Sequence, residues 1–225
     1  MARIGVGLAV LALCASGLAQ AEVEQAAADG FFIRMSAPVE ARPDAAWAAL
    51  IQPSQWWSSE HTWSGKAANL RLEASAGGCW CERWADGSAE HGRVVMAMPG
   101  KMLRLQAALG PLQEFALNAV LTFWIRDGDD GARRLELEYR VNGASASGLD
   151  AFAPKVDDVL ALQFERLQRY LASGDPEPPP APPPPAAGVD SEAARRAAII
   201  EEWRRSAEEA AKKAKDAPPQ PKHTQ

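Results

Sequence analysis

From Arg134 to Val141 apolar and charged residues alternate without a break. Leu135, Leu137, Tyr139 and Val141 fall on one side, and Arg134, Glu136, Glu138 and Arg140 on the other. Successive side chains of a strand point to opposite faces, so this run reads as a strand with one buried and one wet face. Leu117 to Ile125 repeats the pattern, with Leu117, Ala119, Leu121, Phe123 and Ile125 on one face, and Asp127 to Gly131 supplies the turn between the two. Gly77–Trp84, His91–Met98 and Met102–Ala107 are shorter apolar-rich runs, separated by the turn signals Asp86-Gly87 and Pro99-Gly100. Phe31–Ala37 reads as a first strand. Ala41 to Ile51 then reads as a short helix with Pro43 in its first turn. Pro53 to Trp63 has no clean period and is either a second short helix or an aromatic loop folded over the core.

A buried sheet face needs a cover. Pro154 to Leu171 provides one, with Val156, Leu160, Phe164, Leu167 and Leu171 at steps of three and four and Asp157, Asp158, Arg166 and Arg169 between them. Helices gathered on one face of an antiparallel sheet define an α+β fold.

The ends of the chain obey other rules. Seven of the eight Trp lie between Trp47 and Trp124, whereas eleven of the seventeen Pro lie beyond Asp175, so a globular body is followed by something different. Residues 1–21 carry a positive charge at Arg3, an apolar run from Ile4 to Leu13, and an Ala19-Gln20-Ala21 end. That is the layout of a secretory signal peptide, with an apolar run too short to span a bilayer. The bulky Leu13 before Cys14 argues against lipid attachment, so the mature chain is expected to begin at Glu22 in the periplasm or outside the cell. The domain is expected over 22–173. A Pro-rich spacer follows over 174–188, then a charged, Ala-rich helix over 189–216 and a disordered tail over 217–225. In the helix Ile199, Ile200 and Trp203 form an apolar spot suited to a protein contact or to self-association; a solvated helix that contacts nothing is the third reading.

The net charge of −5 argues against a nucleic-acid partner held by a general positive field. The 225 residues contain no P-loop, dinucleotide fingerprint, HExxH or G-x-S-x-G, so neither cofactor nor metal is implied. Cys79 and Cys81 flank Trp80. In a regular strand their Cα atoms would stand about 6.5–7 Å apart, at the edge of the disulfide range. A metal role would need further ligands, and only His61 and His91 precede the Pro-rich stretch. Two small, buried or half-buried side chains are the plain reading.

Several segments resemble a known family. Gly77-Gly78-Cys79-Trp80-Cys81-Glu82 is similar to the glycine–glycine–aromatic–glutamate strand of SRPBCC domains, the START-like superfamily, in its heat-shock-ATPase-activator-like or polyketide-cyclase-like branch. Ala41 to Trp47, Gly92 to Pro99, Gly110-Pro111-Leu112-Gln113 and Val156 to Leu160 follow in the family's order, over roughly residues 31–173. The resemblance implies a helix-grip fold, a curved sheet wrapped around the last helix with an apolar cavity between them.

In such a fold the short helices bearing Trp56, Trp57 and Trp63 would cap the cavity mouth. Trp80, Glu82 and Trp84 share one face of their strand, and a two-residue Asp86-Gly87 hairpin would set Glu82 opposite His91. The candidate ligand site is therefore Trp57, Trp63, Trp80, Glu82, Trp84, His91 and Phe123. A small hydrophobic molecule bound by a non-enzymatic carrier or sensor is the first reading. The alternative is a cyclase- or hydrolase-like enzyme in which burial raises the pKa of Glu82 and His91 assists it.

Overall fold

A computed structural model of the chain describes residues 20–128, 131–178, 201–206, 209 and 212. The expected signal peptide up to residue 19, most of the expected spacer, much of the expected C-terminal helix and the expected disordered tail lie outside the described residues.

Eight strands form one antiparallel sheet: β1 (Gln20–Ala27), β2 (Gly30–Pro38), β3 (Leu70–Leu72), β4 (Cys79–Trp84), β5 (Gly87–Met98), β6 (Met102–Gln106), β7 (Asn118–Asp127) and β8 (Arg133–Asn142). Their spatial order is β1-β2-β8-β7-β6-β5-β4-β3. The chain thus meanders from β3 to β8, and the first hairpin closes onto β8 with Ile33 opposite Tyr139 and Met35 opposite Leu137. The alternating residues behave as read. Leu135, Leu137, Tyr139 and Val141 on β8 are buried, as are Ala119, Leu121, Phe123 and Ile125 on β7.

Helix α1 (Pro43–Leu50) and the single turn α2 (Pro53–Trp56) follow β2, each with Pro in its first turn. A 3-10 turn at Ser59–His61 completes the irregular segment. Helix α3 (Ala153–Ser173) closes the domain and ends at Gly174, whose φ of 79° turns its N–H back onto the Tyr170 carbonyl at 2.8 Å. It packs against β1, β2, α1 and α2, while α1 also reaches β7 and α2 reaches β3. The sheet's inner face is thus covered by α3 at one end and by the α1–α2 segment toward the other.

The α+β class and the order of strands, short helices and long helix agree with the sequence reading. Two strands were not foreseen. β1 is Ala- and Glu-rich, a poor strand former by composition, and is held by its ladder to β2. It begins two residues before the expected mature terminus at Glu22. β3 is only three residues long. Arg166 also departs from the reading: it lies on the buried side of α3. No helix among the described residues is long and apolar enough to cross a membrane.

Candidate functional site

The site is built on the β4–β5 hairpin. Trp84 pairs with Gly87, so the connecting residues are Ala85 and Asp86 rather than the expected Asp86 and Gly87. Glu82 consequently faces Ala89, not His91. The pairing then slips by one residue, because Cys81 faces Glu90 while Trp80 faces Gly92. His91 is the extra residue of this β-bulge. It and Gly92 are both buried, and the imidazole reaches Glu82 diagonally, with Nε2 2.9 Å from Oε2. The expected pair forms, but by a different route.

Glu82 is fully buried and its carboxylate is surrounded by donors. Oε2 accepts from the Trp63 N–H at 3.0 Å and from His91, and Oε1 accepts from the Ser64 N–H at 2.6 Å. Burial alone would raise the pKa of Glu82. The hydrogen bonds from Ser64, Trp63 and His91 outweigh it, and the carboxyl lies below its ordinary value. The raised pKa expected of a general acid is therefore not found. Burial lowers the pKa of His91, and the neighbouring Glu82 offsets this only in part. The imidazole is thus neutral at pH 7, and Nε2 carries the proton that it donates to the carboxylate.

The segment from Pro53 to Ser64 forms a cap that α3 holds from the other side. Gln163 Oε1 accepts from the Ser58 N–H at 2.8 Å, and its Nε2 donates to His61 Nδ1 at 3.0 Å. Arg166 Nε donates to the Trp56 carbonyl at 2.8 Å, and the same guanidinium pairs with Glu177 at 2.8 Å. Burial lowers the pKa of His61, against a raising effect of Glu60 and with Arg166 adding to the fall. Gln163 and Arg166 were missing from the candidate residues. Gln163 had a signal, for it occupies the step between Leu160 and Leu167 on the apolar stripe.

Between cap and sheet lies an aromatic cluster. Trp57 meets Trp80 edge-on with centroids 4.9 Å apart, Trp56 meets Trp57 at 5.5 Å, and Trp56 meets Phe123 at 6.4 Å. Of the candidates, Trp57, Trp80, Glu82, His91 and Phe123 are brought together here and buried. Trp63 is 50% exposed and contributes its backbone N–H. Trp84 is half-buried, with its indole lying across Gly87. Trp56, by contrast, is central. The expected cavity is nearly filled: a void of about 10 Å³ remains, bordered by Leu50, Trp56, Leu72, Trp80, Leu105 and Phe123 among others. That is room for about one water molecule. A hollow of about 210 Å³ lies elsewhere, between the β1–β2 turn and the end of β8, lined by Gln25, Asp29, Arg140 and Asn142 among others.

On the opposite face of β4, Cys79 and Cys81 form a disulfide with Cα atoms 5.4 Å apart. That separation is shorter than the regular strand spacing assumed from the sequence and lies within bonding range.

No family model and no curated protein matches the chain. Solved structures match the chain at low identity and with TM-scores below 0.5. A conserved protein of unknown function from Enterococcus faecalis is 11% identical, with a TM-score of 0.48 over 83% of this chain and 91% of that one. CalU16 from Micromonospora echinospora is 16% identical, with a TM-score of 0.42 over 72% of this chain and 88% of its own. DynU16, from the dynemicin biosynthetic locus, is 20% identical, with a TM-score of 0.41 over 64% of this chain and 48% of its own. Likeness at this level transfers nothing about ligand or reaction.

Proposed function

We propose that this chain is an exported, non-enzymatic protein that binds a small, mainly apolar molecule carrying one hydrogen-bond acceptor, at the aromatic cluster between the cap and the sheet. The observation that carries this reading is Trp80. Its ring borders a void with an all-apolar lining, while its indole N–H is buried without a hydrogen-bond partner. A buried donor of this kind gains from an acceptor, and an apolar site with a few polar groups is the usual composition of a ligand pocket. A void of about 10 Å³ admits no ligand as it stands, so binding entails displacement of the cap.

The same geometry speaks against the cyclase- or hydrolase-like alternative. The hydrogen bonds of Glu82 are spent on holding the cap and His91, and a carboxylate below its ordinary pKa is a poor proton donor. The reading is tested by native mass spectrometry of the purified protein, with extraction of anything bound. Indole emission is then titrated with two apolar probes of similar size, one bearing a carbonyl and one a pure hydrocarbon. Trp80→Phe should weaken the carbonyl probe several-fold and leave the hydrocarbon nearly unaffected. Failure of either probe to alter the emission of a folded protein would overturn the proposal.

A further inference from the structure

The Cys79–Cys81 bond does little for the fold. It closes a loop with one intervening residue, and the antiparallel ladder from β3 to β5 already holds both cysteines on one face of β4. A cross-link over so short a loop removes little freedom from the unfolded chain. Its surroundings suit chemistry better than stapling. Both cysteines are half-buried rather than sealed. Arg93 stands directly opposite Cys79 and Arg71 directly opposite Cys81, on the neighbouring strands to either side. Glu90, the partner of Cys81 on β5, is paired with Arg93 and lies 3.9 Å from Cys79 Sγ. The guanidinium of Arg71 is bonded to the Ala68 and Leu70 carbonyls and that of Arg93 to the Gly77 carbonyl and Glu90, so what favours exchange is the partial exposure of the sulfurs to an attacking thiolate.

We propose that Cys79–Cys81 is a thiol-exchange site, opened and re-formed by a low-molecular-weight thiol of the glutathione class. One thiolate attacks the Sγ of either cysteine. The S–S bond breaks and its electron pair leaves on the other Sγ. A second thiolate attacks the incoming sulfur of the mixed disulfide, forming the small-molecule disulfide and releasing the second cysteine. Two electrons pass from two thiols to the protein, and the two protons those thiols gave up end on Cys79 and Cys81.

The test equilibrates the full chain in glutathione buffers of graded ratio, quenches with an alkylating reagent, and maps modification at Cys79 and Cys81 by peptide mass. The expected result is a reversible two-electron opening at ratios that leave a long-loop structural disulfide closed. Cys81→Ser should accumulate a glutathione adduct on Cys79. A bond that stays closed throughout would overturn the proposal. So would a dithiol form that melts far below the oxidised protein, since the bond would then be a structural staple. Reduced protein that retains one Zn²⁺ per chain and resists re-oxidation would also overturn it, in favour of a metal site made by Cys79, Cys81 and Glu90, whose donor atoms lie within 4.8 Å of one another.

Discussion

The two ends of the sheet's inner face are covered by different kinds of structure, and they are held by different forces. Toward β2 and β8, where α3 packs, the inner positions are Ile33, Met35, Leu135, Leu137, Tyr139 and Val141, all buried. Their one polar atom, the Tyr139 hydroxyl, donates to the Ala107 carbonyl at 2.9 Å and accepts from the Leu109 N–H at 3.2 Å. Toward β4 the cover is the irregular segment from Pro53 to Ser64. There the ladder slips, and Glu82, His91, Gln163 and Arg166 are buried among tryptophans. The difference has a physical cause. A helix satisfies its own backbone, so what it covers can be wholly apolar. An irregular cap brings in N–H and C=O groups with no ladder of their own, including those of Trp56, Ser58, Trp63 and Ser64, and buried side chains must meet them.

This contrast can be broken by substitution, and the largest effect is expected under the helix. Phe164→Ala empties a side chain that is 1% exposed and should cost about 3–5 kcal/mol, measured by denaturant unfolding. If the cost is much smaller, α3 is not packed as the contrast requires. Glu82→Gln should cost less, about 1–3 kcal/mol, although it removes no volume. The amide can accept from one neighbour, but its NH₂ meets donors at Trp63, Ser64 or His91. Faster hydrogen exchange at the Trp63 and Ser64 amides, with unchanged exchange in β7 and β8, would sharpen the distinction. Uniform loss across the sheet would erase it.

Acid should weaken the cap side. His61 and His91 have pKa values lowered from an ordinary 6.5, so the unfolded chain binds more protons and stability falls as pH drops below about 6.5. Glu82, also lowered, adds its loss only further down, below its ordinary 4.5. Asp157 on α3 works the other way. Burial first, and Asp158 second, raise its pKa, so the penalty for its charge is relieved as pH falls. Melting temperatures from pH 7 to 5 should therefore decline, and less so in His91→Gln. A flat profile would count against the two buried imidazoles.

The smallest effect is expected from the C-terminal segment. Ser206 accepts from Lys155 Nζ at 2.9 Å, and that ammonium lies 6.0 Å from the Trp203 ring. Removing the chain beyond residue 178 should change stability by less than about 1 kcal/mol, as expected for isolated surface contacts. A larger loss would make that segment a third cover.

Much of the regular half was legible because one periodicity carried it. Leu135 to Val141 show the buried face of β8, and Val156, Leu160 and Phe164 show that of α3, with no knowledge of what they touch. At the cap the local signal was present but ambiguous. Trp56, Trp57 and Trp63 announce an aromatic region, yet whether each indole turns inward depends on where the chain between Pro53 and Ser64 finds hydrogen-bond partners. Those partners lie on β4 and α3, far away in sequence.

The amino-acid sequence by itself determined the α+β class, the sheet's buried face and the long closing helix. Each follows from side-chain period along one element. Only the tertiary structure decided that Glu82 is an ionised anchor rather than an acid, that Arg166 is buried, that Cys79 and Cys81 are bonded, and that the chamber is nearly full. A pKa depends on the donors around a carboxylate, and a one-residue slip between β4 and β5 changes which atoms face each other. Such facts depend on contacts between distant segments, and neither composition nor periodicity encodes them locally.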